Sequence, residues 1–299
     1  MGGSTDLPVF YEKHGGLVIS MAINLRQKIK IDMEGYEMVP HLKLFKNANP
    51  NFYMKFFEEF DCMPQTLKAI SDTPIQSGLG SSASAAVALV ASLSRLKGQN
   101  LTKKEIAEKA WDIEVNKLGL YGGKQDQYAA SCGGFNAYIF SKDEVKIAAL
   151  DLNPRFWKER IILFYIGNVR KNPKIQEGLK ELNPLEEKAL ELIKINAGLA
   201  IEALGKEDVQ TISELLKESW EAKKKSNNVT NERIDMVYDE ALKSGALAGK
   251  LNGSGQGGFM TFLVNPDKQD QVKTALTAIG CTWYDFSLDW NGVETRILP

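Results

Sequence analysis

Cysteine and histidine are scarce in this chain, and each scarcity removes a class of protein. The three cysteines, Cys62, Cys132 and Cys281, stand far apart and are odd in number. Neither a disulfide framework nor a paired-cysteine zinc site is supported. The two histidines, His14 and His41, lie near none of them, and a reducing cytoplasm is the expected setting. Net charge is missing too: 37 basic against 38 acidic side chains leave no global basic field for nucleic acid or an anionic membrane. The alanine-rich run 83–93 stops short of membrane-spanning length and contains Ser84 and Ser92. The first residues carry glycine and an acid rather than a basic, then apolar leader, so no secretion signal is expected. There remains a chain of 299 residues, 43% hydrophobic and 25% charged, with length for about two domains.

The stretch from Pro74 to Ala86 organises the rest. Gly78, Gly80, Ser81, Ser82 and Ser84 precede a run of Ala, Val and Leu reaching about Lys97. Glycines let a ligand approach the main chain, and Ser81 or Ser82 suits the cap of the following helix. A glycine turn opening a helix aims unpaired N–H groups at one point, with the positive end of the helix dipole behind them. That is an anion site with phosphate as its usual guest; a tight turn feeding a buried helix is the plainer reading. No lysine follows Gly80 as the Walker pattern requires, and Ala83 stands where the dinucleotide fingerprint needs a third glycine.

Two carboxylates stand out downstream. Thr102 and Glu105 form a capping box for a helix expected to reach about Lys117. On it Ala107, Trp111, Glu114 and Leu118 share one stripe, which places Glu114 on an otherwise apolar face. It needs a partner: a lysine in a salt bridge, or a magnesium ion carried by nucleotide phosphates. The second acid, Asp126, comes after Gly122 and Gly123 and is flanked by Gln125 and Gln127. It is either a helix cap or a carboxylate held close to a ligand.

Around these, strands are expected in 17–31, at 67–72 and at 135–140, with a short helix at 52–60. A composition shift near Pro154 divides the chain into 1–153 and 154–299. The second part should hold a strand at 160–166, helices at 184–204, 207–224 and 232–243, a strand at 259–264, a helix at 267–279, and strands near 282–286 and 293–297. Between them, Gly249–Gly258 is a second glycine loop, and ordering so many glycines implies close backbone approach there.

Gly2–Pro8, Pro74–Ala83 and Gly249–Gly258, with the acid motif between the last two, resemble the kinase superfamily named for galactokinase, homoserine kinase, mevalonate kinase and phosphomevalonate kinase. Gly-Gly-Ser-Thr-Asp-Leu-Pro at 2–8, Gly-Gly-Lys-Gln-Asp-Gln-Tyr-Ala-Ala at 122–130 and Gly-Gly-Phe-Asn at 133–136 are similar in wording to the bacterial D-glycero-D-manno-heptose 7-phosphate kinases. The resemblance implies an α+β, two-domain fold: an N-terminal domain like the second domain of ribosomal protein S5 and a ferredoxin-like C-terminal domain. It implies that Ser77, Gly78, Leu79, Gly80, Ser81, Ser82 and Ala83 hold the ATP phosphates, with Ser82 and Glu114 on Mg2+. Asp126 matches the catalytic acid and Asp6 a residue that binds sugar hydroxyls. Gly3, Ser4, Thr5, Gly123, Gln125, Gly255 and Gln256 would complete the substrate site. Ser4 departs from a glycine expected in the first motif, and Gln256 interrupts the glycine run of the third.

The implied reaction is transfer of the ATP γ-phosphoryl group to the anomeric hydroxyl of a heptose 7-phosphate, giving the 1,7-bisphosphate. The rivals are a sugar 1-kinase acting on an unphosphorylated sugar, as fucokinases do, and a catalytically silent binder on the same fold. No nucleic-acid or membrane partner is implied. For the substrate's own phosphate the candidates are Lys223, Lys224 and Lys225, with Arg170 and Lys171. Lysines at a helix C-terminus also favour the dipole, and a solvated surface is the expectation for them.

Overall fold

The computed structural model describes residues 1–32, 41–43, 49–62, 66–74, 77–168, 181–226, 229–253, 255 and 257–297. In chain order the strands are β1 (Gly16–Met21), β2 (Gln27–Asp32), β3 (His41–Lys43), β4 (Thr66–Ser71), β5 (Phe135–Phe140), β6 (Val145–Ala149), β7 (Ile161–Asn168), β8 (Ala246–Leu251), β9 (Gly257–Val264) and β10 (Thr282–Tyr284). The α-helices are α1 (Pro8–His14), α2 (Pro50–Glu59), α3 (Ser81–Leu96), α4 (Lys103–Asp112), α5 (Gln125–Cys132), α6 (Pro154–Lys158), α7 (Pro184–Gly205), α8 (Val209–Ser226), α9 (Glu232–Lys243) and α10 (Gln269–Ala278). They form two compact units, each discontinuous in sequence: 1–21, 77–79 and 135–288 in one, 22–76, 80–134 and 289–299 in the other.

The first unit holds two sheets, an antiparallel β1-β5-β6 and an antiparallel β10-β7-β9-β8. Period-two alternation explains the larger one. Ile162, Phe164 and Ile166 on β7 share a face with Met260, Phe262 and Val264 on β9. That face is buried against Trp220 of α8, Ile234, Val237 and Ala241 of α9, and Val272 and Leu276 of α10. Helices laid on one face of an antiparallel sheet are the α+β arrangement expected. Asn183 caps α7 with a capping box to Glu186, and Asn231 caps α9.

The second unit is built around α3. Ala85, Ala86, Val87, Leu89, Val90 and Leu93 are buried around its circumference, the mark of a core helix. All of these but Ala85 pack with Tyr53, Phe56 and Phe57 of α2, Leu67 and Ala69 of β4, and Ile106 and Ala110 of α4. Its sheet has the order β2-β4-β3, with β4 antiparallel to β2 and parallel to β3.

Some local expectations change. The N-cap of α3 is Gly80, at φ 64°, and neither Ser81 nor Ser82; a left-handed cap suits glycine, which has no Cβ to clash. Residues 249–251, read as loop, end strand β8, because Gly249 lies over the Phe262 ring where any side chain would collide. Helix α6 at Pro154–Lys158 was not expected. The stretch 293–297 forms no strand: Val293 N donates to Ser131 O at 3.1 Å instead. No helix among the described residues is long and apolar enough to cross a membrane.

Candidate active site

Three elements of the second unit bring their polar groups together: the start of α3, the end of α4 and the first turn of α5. The end of α4 is a π-turn, Ile113–Lys117, in which Leu118 N donates to Ile113 O at 2.9 Å. A π-turn adds one residue to the helical repeat and re-aims the chain beyond it. Glu114 occupies it and is only 4% exposed, as its place on an apolar face demands. The cationic partner expected for it is not among the described residues. Glu114 Oε2 accepts from Gln127 Nε2 at 2.7 Å, and its carboxylate also accepts from Ser82. Burial pushes Glu114 up to about 7, helped by the nearby charge of Asp126 and opposed by the two hydrogen bonds.

Asp126 is exposed, in the first turn of α5, whose N-cap is Lys124 rather than Asp126. Its side chain lies against Gly80: a Cβ built there would sit 3.1 Å from Asp126 Cβ and Cγ. Gly80, Ser81, Ser82, Glu114 and Asp126, candidates from separate stretches of the chain, therefore form one cluster with Gln127.

Two groups here are not candidates from the sequence alone. Gln127, the bridge to Glu114, stands there only as a flanking amide. Glu108 is absent altogether: it pairs with Lys124 Nζ at 2.7 Å and accepts from Tyr128. Lys124 Nζ also lies 4.5 Å from the centre of the Trp111 ring, and Trp111 Nε1 donates to Gly122 O at 3.2 Å. The loop carrying Gly123 and Gln125 is thus fastened to α4 on either side of Asp126. The spacing of Glu108 from the Trp111–Glu114 stripe is the one signal that points to it.

The other candidates belong to the first unit. In the turn 2–6, Thr5 Oγ1 donates to Gly2 O at 2.7 Å and accepts from Leu17 N at 3.1 Å. Gly3 is half-buried and Asp6 is buried. Ser4 has φ 75°, so the residue departing from the motif keeps the backbone that favours glycine there. The second glycine loop closes on Ser77 and Gly78. A Cβ at Gly253 would lie 2.6 Å from Gly78 Cα, and one at Gly258 only 2.1 Å from Ser77 O. Phe259 N donates to that same oxygen at 2.8 Å. The close backbone approach expected for this loop is to the chain itself at these positions. Gly255 sits against Val229. Leu79 is half-buried and Ala83 buried. Gln256, Arg170 and Lys171 lie outside the described residues.

The lysine run near the end of α8 divides. Lys224 pairs with Glu221 at 2.5 Å, and Lys225 is exposed. Lys223 is not the solvated residue expected: its Nζ donates to Gly253 O at 3.3 Å, because α8 packs along β8 and turns this side chain toward the loop.

Among the described residues no group of three or more His, Cys, Asp or Glu could hold a metal ion. Magnesium needs no such cage, since one or two carboxylates and nucleotide phosphates suffice. The donor set suits that mode. Burial holds Glu114 well above the usual carboxylate range, and Ser81 Oγ and Gln127 Oε1 are buried with no hydrogen-bond partner among the described residues.

The sequence matches the family description "GHMP kinases N terminal domain" over residues 45–134 and "GHMP kinases C terminal" over residues 200–280. It is 32% identical to a D-glycero-alpha-D-manno-heptose 7-phosphate kinase of Campylobacter jejuni, over 98% of this chain and 95% of that protein. A crystal structure of a D-glycero-D-manno-heptose 1-phosphate kinase from Bacteriodes thetaiotaomicron superposes with a TM-score of 0.76 at 25% identity, covering 97% of this chain and 93% of the other. A galactokinase of Thermotoga neapolitana is 24% identical over 81% of this chain and 78% of its own length. The two-part α+β fold and the near full-length match to a kinase agree, and the chain belongs to the GHMP kinase family of ATP-dependent phosphotransferases.

Proposed function

We propose that this kinase phosphorylates the anomeric hydroxyl of D-glycero-D-manno-heptose 7-phosphate, giving the 1,7-bisphosphate, with ATP and Mg2+. Phosphoryl transfer asks a protein for alignment and for charge on the equatorial oxygens more than for covalent help. The placement of Asp126 beside Gly80 at the start of α3 carries the reading. It puts a carboxylate next to the N–H groups that would cradle nucleotide phosphates. In this role Ser77–Ala83 bind those phosphates through the main chain. Asp126 orients the attacking hydroxyl and accepts its proton, a contribution of about 10²–10⁴-fold. Ser82 and Glu114 would hold the magnesium, which when bound supplies positive charge to the transferring group. Gln127 fixes the orientation of Glu114. Asp6 takes sugar hydroxyls, with Gly3, Ser4, Thr5, Gly123, Gln125, Gly255 and Gln256 around the substrate.

We likewise infer a division near residue 154, with family matches that fall on either side of it. A cytoplasmic setting is inferred as well, which suits three cysteines, Cys62, Cys132 and Cys281, that form no disulfide. A second reading, phosphorylation of an unphosphorylated sugar, is favoured by the galactokinase match.

ATP consumption with magnesium should be measured over heptose 7-phosphate, heptose 1-phosphate, free heptose, fucose and mannose, with products identified by phosphorus NMR. An anomeric phosphate formed from heptose 7-phosphate alone is the expected result. Turnover confined to a free sugar moves the enzyme to the second reading.

A further inference from the structure

We propose that Glu108 is the positioning residue for Asp126: its one carboxylate grips two side chains of α5 and so fixes the rotation at which that helix presents the acid. This rests on the reading of Asp126 as the base. Helix α5 has little of its own to hold it in place. It is eight residues long, and Lys124 at its N-cap contributes no side-chain bond to it, since an ammonium has no acceptor to offer. A helix this short is fixed by its tertiary contacts.

At about 100° per residue, Lys124, Gln127, Tyr128 and Ser131 share one face of α5, and Asp126 stands nearly opposite. The partners follow that division. Ser131 Oγ donates to Lys103 O at 2.6 Å and Gln127 Nε2 to Glu114 Oε2 at 2.7 Å. Lys124 Nζ donates to Glu108 Oε2 at 2.7 Å, and Tyr128 Oη donates to Glu108 Oε1. Gln127 and Tyr128 are buried, and Asp126 is exposed. Glu108 thus takes two of these four contacts, one on either side of Asp126 in the chain. Its own seat is firm. It stands in the middle of α4, which the capping box of Thr102 and Glu105 starts and buried Ile106, Ala107 and Ala110 anchor. Trp111, one turn further on, lies with its ring centre 4.5 Å from Lys124 Nζ, a second contact for that ammonium on the same helix. A side-chain tip lies about 5–6 Å from a helix axis, so a rotation of about 10° moves it by about 1 Å. A misplacement of that size can cost about 10²-fold in rate. Glu108 therefore acts on the aim of Asp126 and not on the binding of either substrate.

The test measures kcat and KM, for ATP and for whichever sugar of the panel above is turned over, in Glu108→Ala and Glu108→Gln, each alone and combined with Asp126→Asn. The Glu108 side chain is 35% exposed and alanine favours a helix, so the fold should survive, with melting temperatures as the control. Glu108→Ala should lower kcat about tenfold or more and leave both KM values within about twofold. Glu108→Gln, which can still accept from Lys124, should regain most of that loss. In the Asp126→Asn background Glu108→Ala should cost nothing further, because residues that act as one unit are not additive. A wild-type kcat in Glu108→Ala, or the same fractional loss with and without Asp126, would overturn the proposal. Hydrogen exchange separates it from the reading it rests on. Glu108→Ala should speed exchange of the α5 amides 128–132 about tenfold, with α9 unchanged. Faster exchange in α5 with near-wild-type turnover in Asp126→Asn keeps Glu108 as the clamp on α5 and removes Asp126 as the base. Unchanged exchange with slow turnover in Asp126→Asn does the reverse.

Discussion

Asp126 rests against Gly80, so closely that a methyl group on Gly80 would lie 3.1 Å from the Asp126 Cβ and Cγ. Gly80 is also the left-handed cap of α3, at φ 64°. One glycine therefore shapes the helix start and sets the position of the acid. Gly80→Ala should strain the cap by about 1–2 kcal/mol and lower kcat by about 10²-fold through a displaced Asp126. Wild-type kcat in a variant with a lowered melting temperature would separate the two roles and remove the second.

Asp126→Asn should leave the fold and nucleotide binding intact while lowering kcat by about 10²–10⁴-fold. Single-turnover kinetics at saturating ATP reads this directly. Near-wild-type turnover would end the assignment of Asp126 as the base.

Glu114→Gln should abolish magnesium-supported turnover yet stabilise the metal-free chain. The Glu114 carboxyl is raised from 4.5 to about 7, so between those values the folded state binds more protons than the unfolded. Stability then falls as pH rises through that window. Removing the charge should return at most about 3 kcal/mol above pH 7. Chemical denaturation of both proteins at pH 5 and pH 8 checks it: a stability gap that does not widen at pH 8 contradicts the account.

Lys223 has the opposite sign. Burial, then the charge of Lys250, drop its value from 10.5 to about 8 against the opposing pull of Asp6, so between these pH values the unfolded chain holds the extra proton. Stability should rise with pH from about 8 to about 10.5. Lys223→Met should raise the melting temperature at pH 7 and lose that advantage toward pH 10.5. A lower melting temperature at pH 7 would make Lys223 a stabilising contact instead.

Gly258→Ala tests the packing of the second glycine loop. Its new Cβ would lie 2.1 Å from the Ser77 carbonyl oxygen, at a backbone φ of 104°. A loss above about 2 kcal/mol is expected, readable as a lowered denaturation midpoint.

Most of the secondary structure was legible because it is written locally. The capping boxes at Thr102–Glu105 and Asn183–Glu186, and the period-two pattern of 161–166 and 259–264, declare their elements within a few residues. Gly249 read as loop because a glycine in isolation looks like a turn; only the Phe262 ring above it makes glycine a requirement of the strand. Lys223 could not be told from Lys224 or Lys225 in a run of three, since which one turns inward depends on how α8 lies along β8.

By itself, the sequence determined the residue types and their order: the glycine turns, the lone carboxylate on the apolar stripe, and the acid between amides. Those are properties of short stretches, set by backbone preference and periodicity. Only the tertiary structure decided partners. That Glu114 meets Gln127 and Ser82 instead of a lysine, that Asp126 leans on Gly80, and that the second glycine loop closes on Ser77 and Gly78 all depend on distances between residues far apart in the chain. Packing fixes those distances, and no local pattern encodes them.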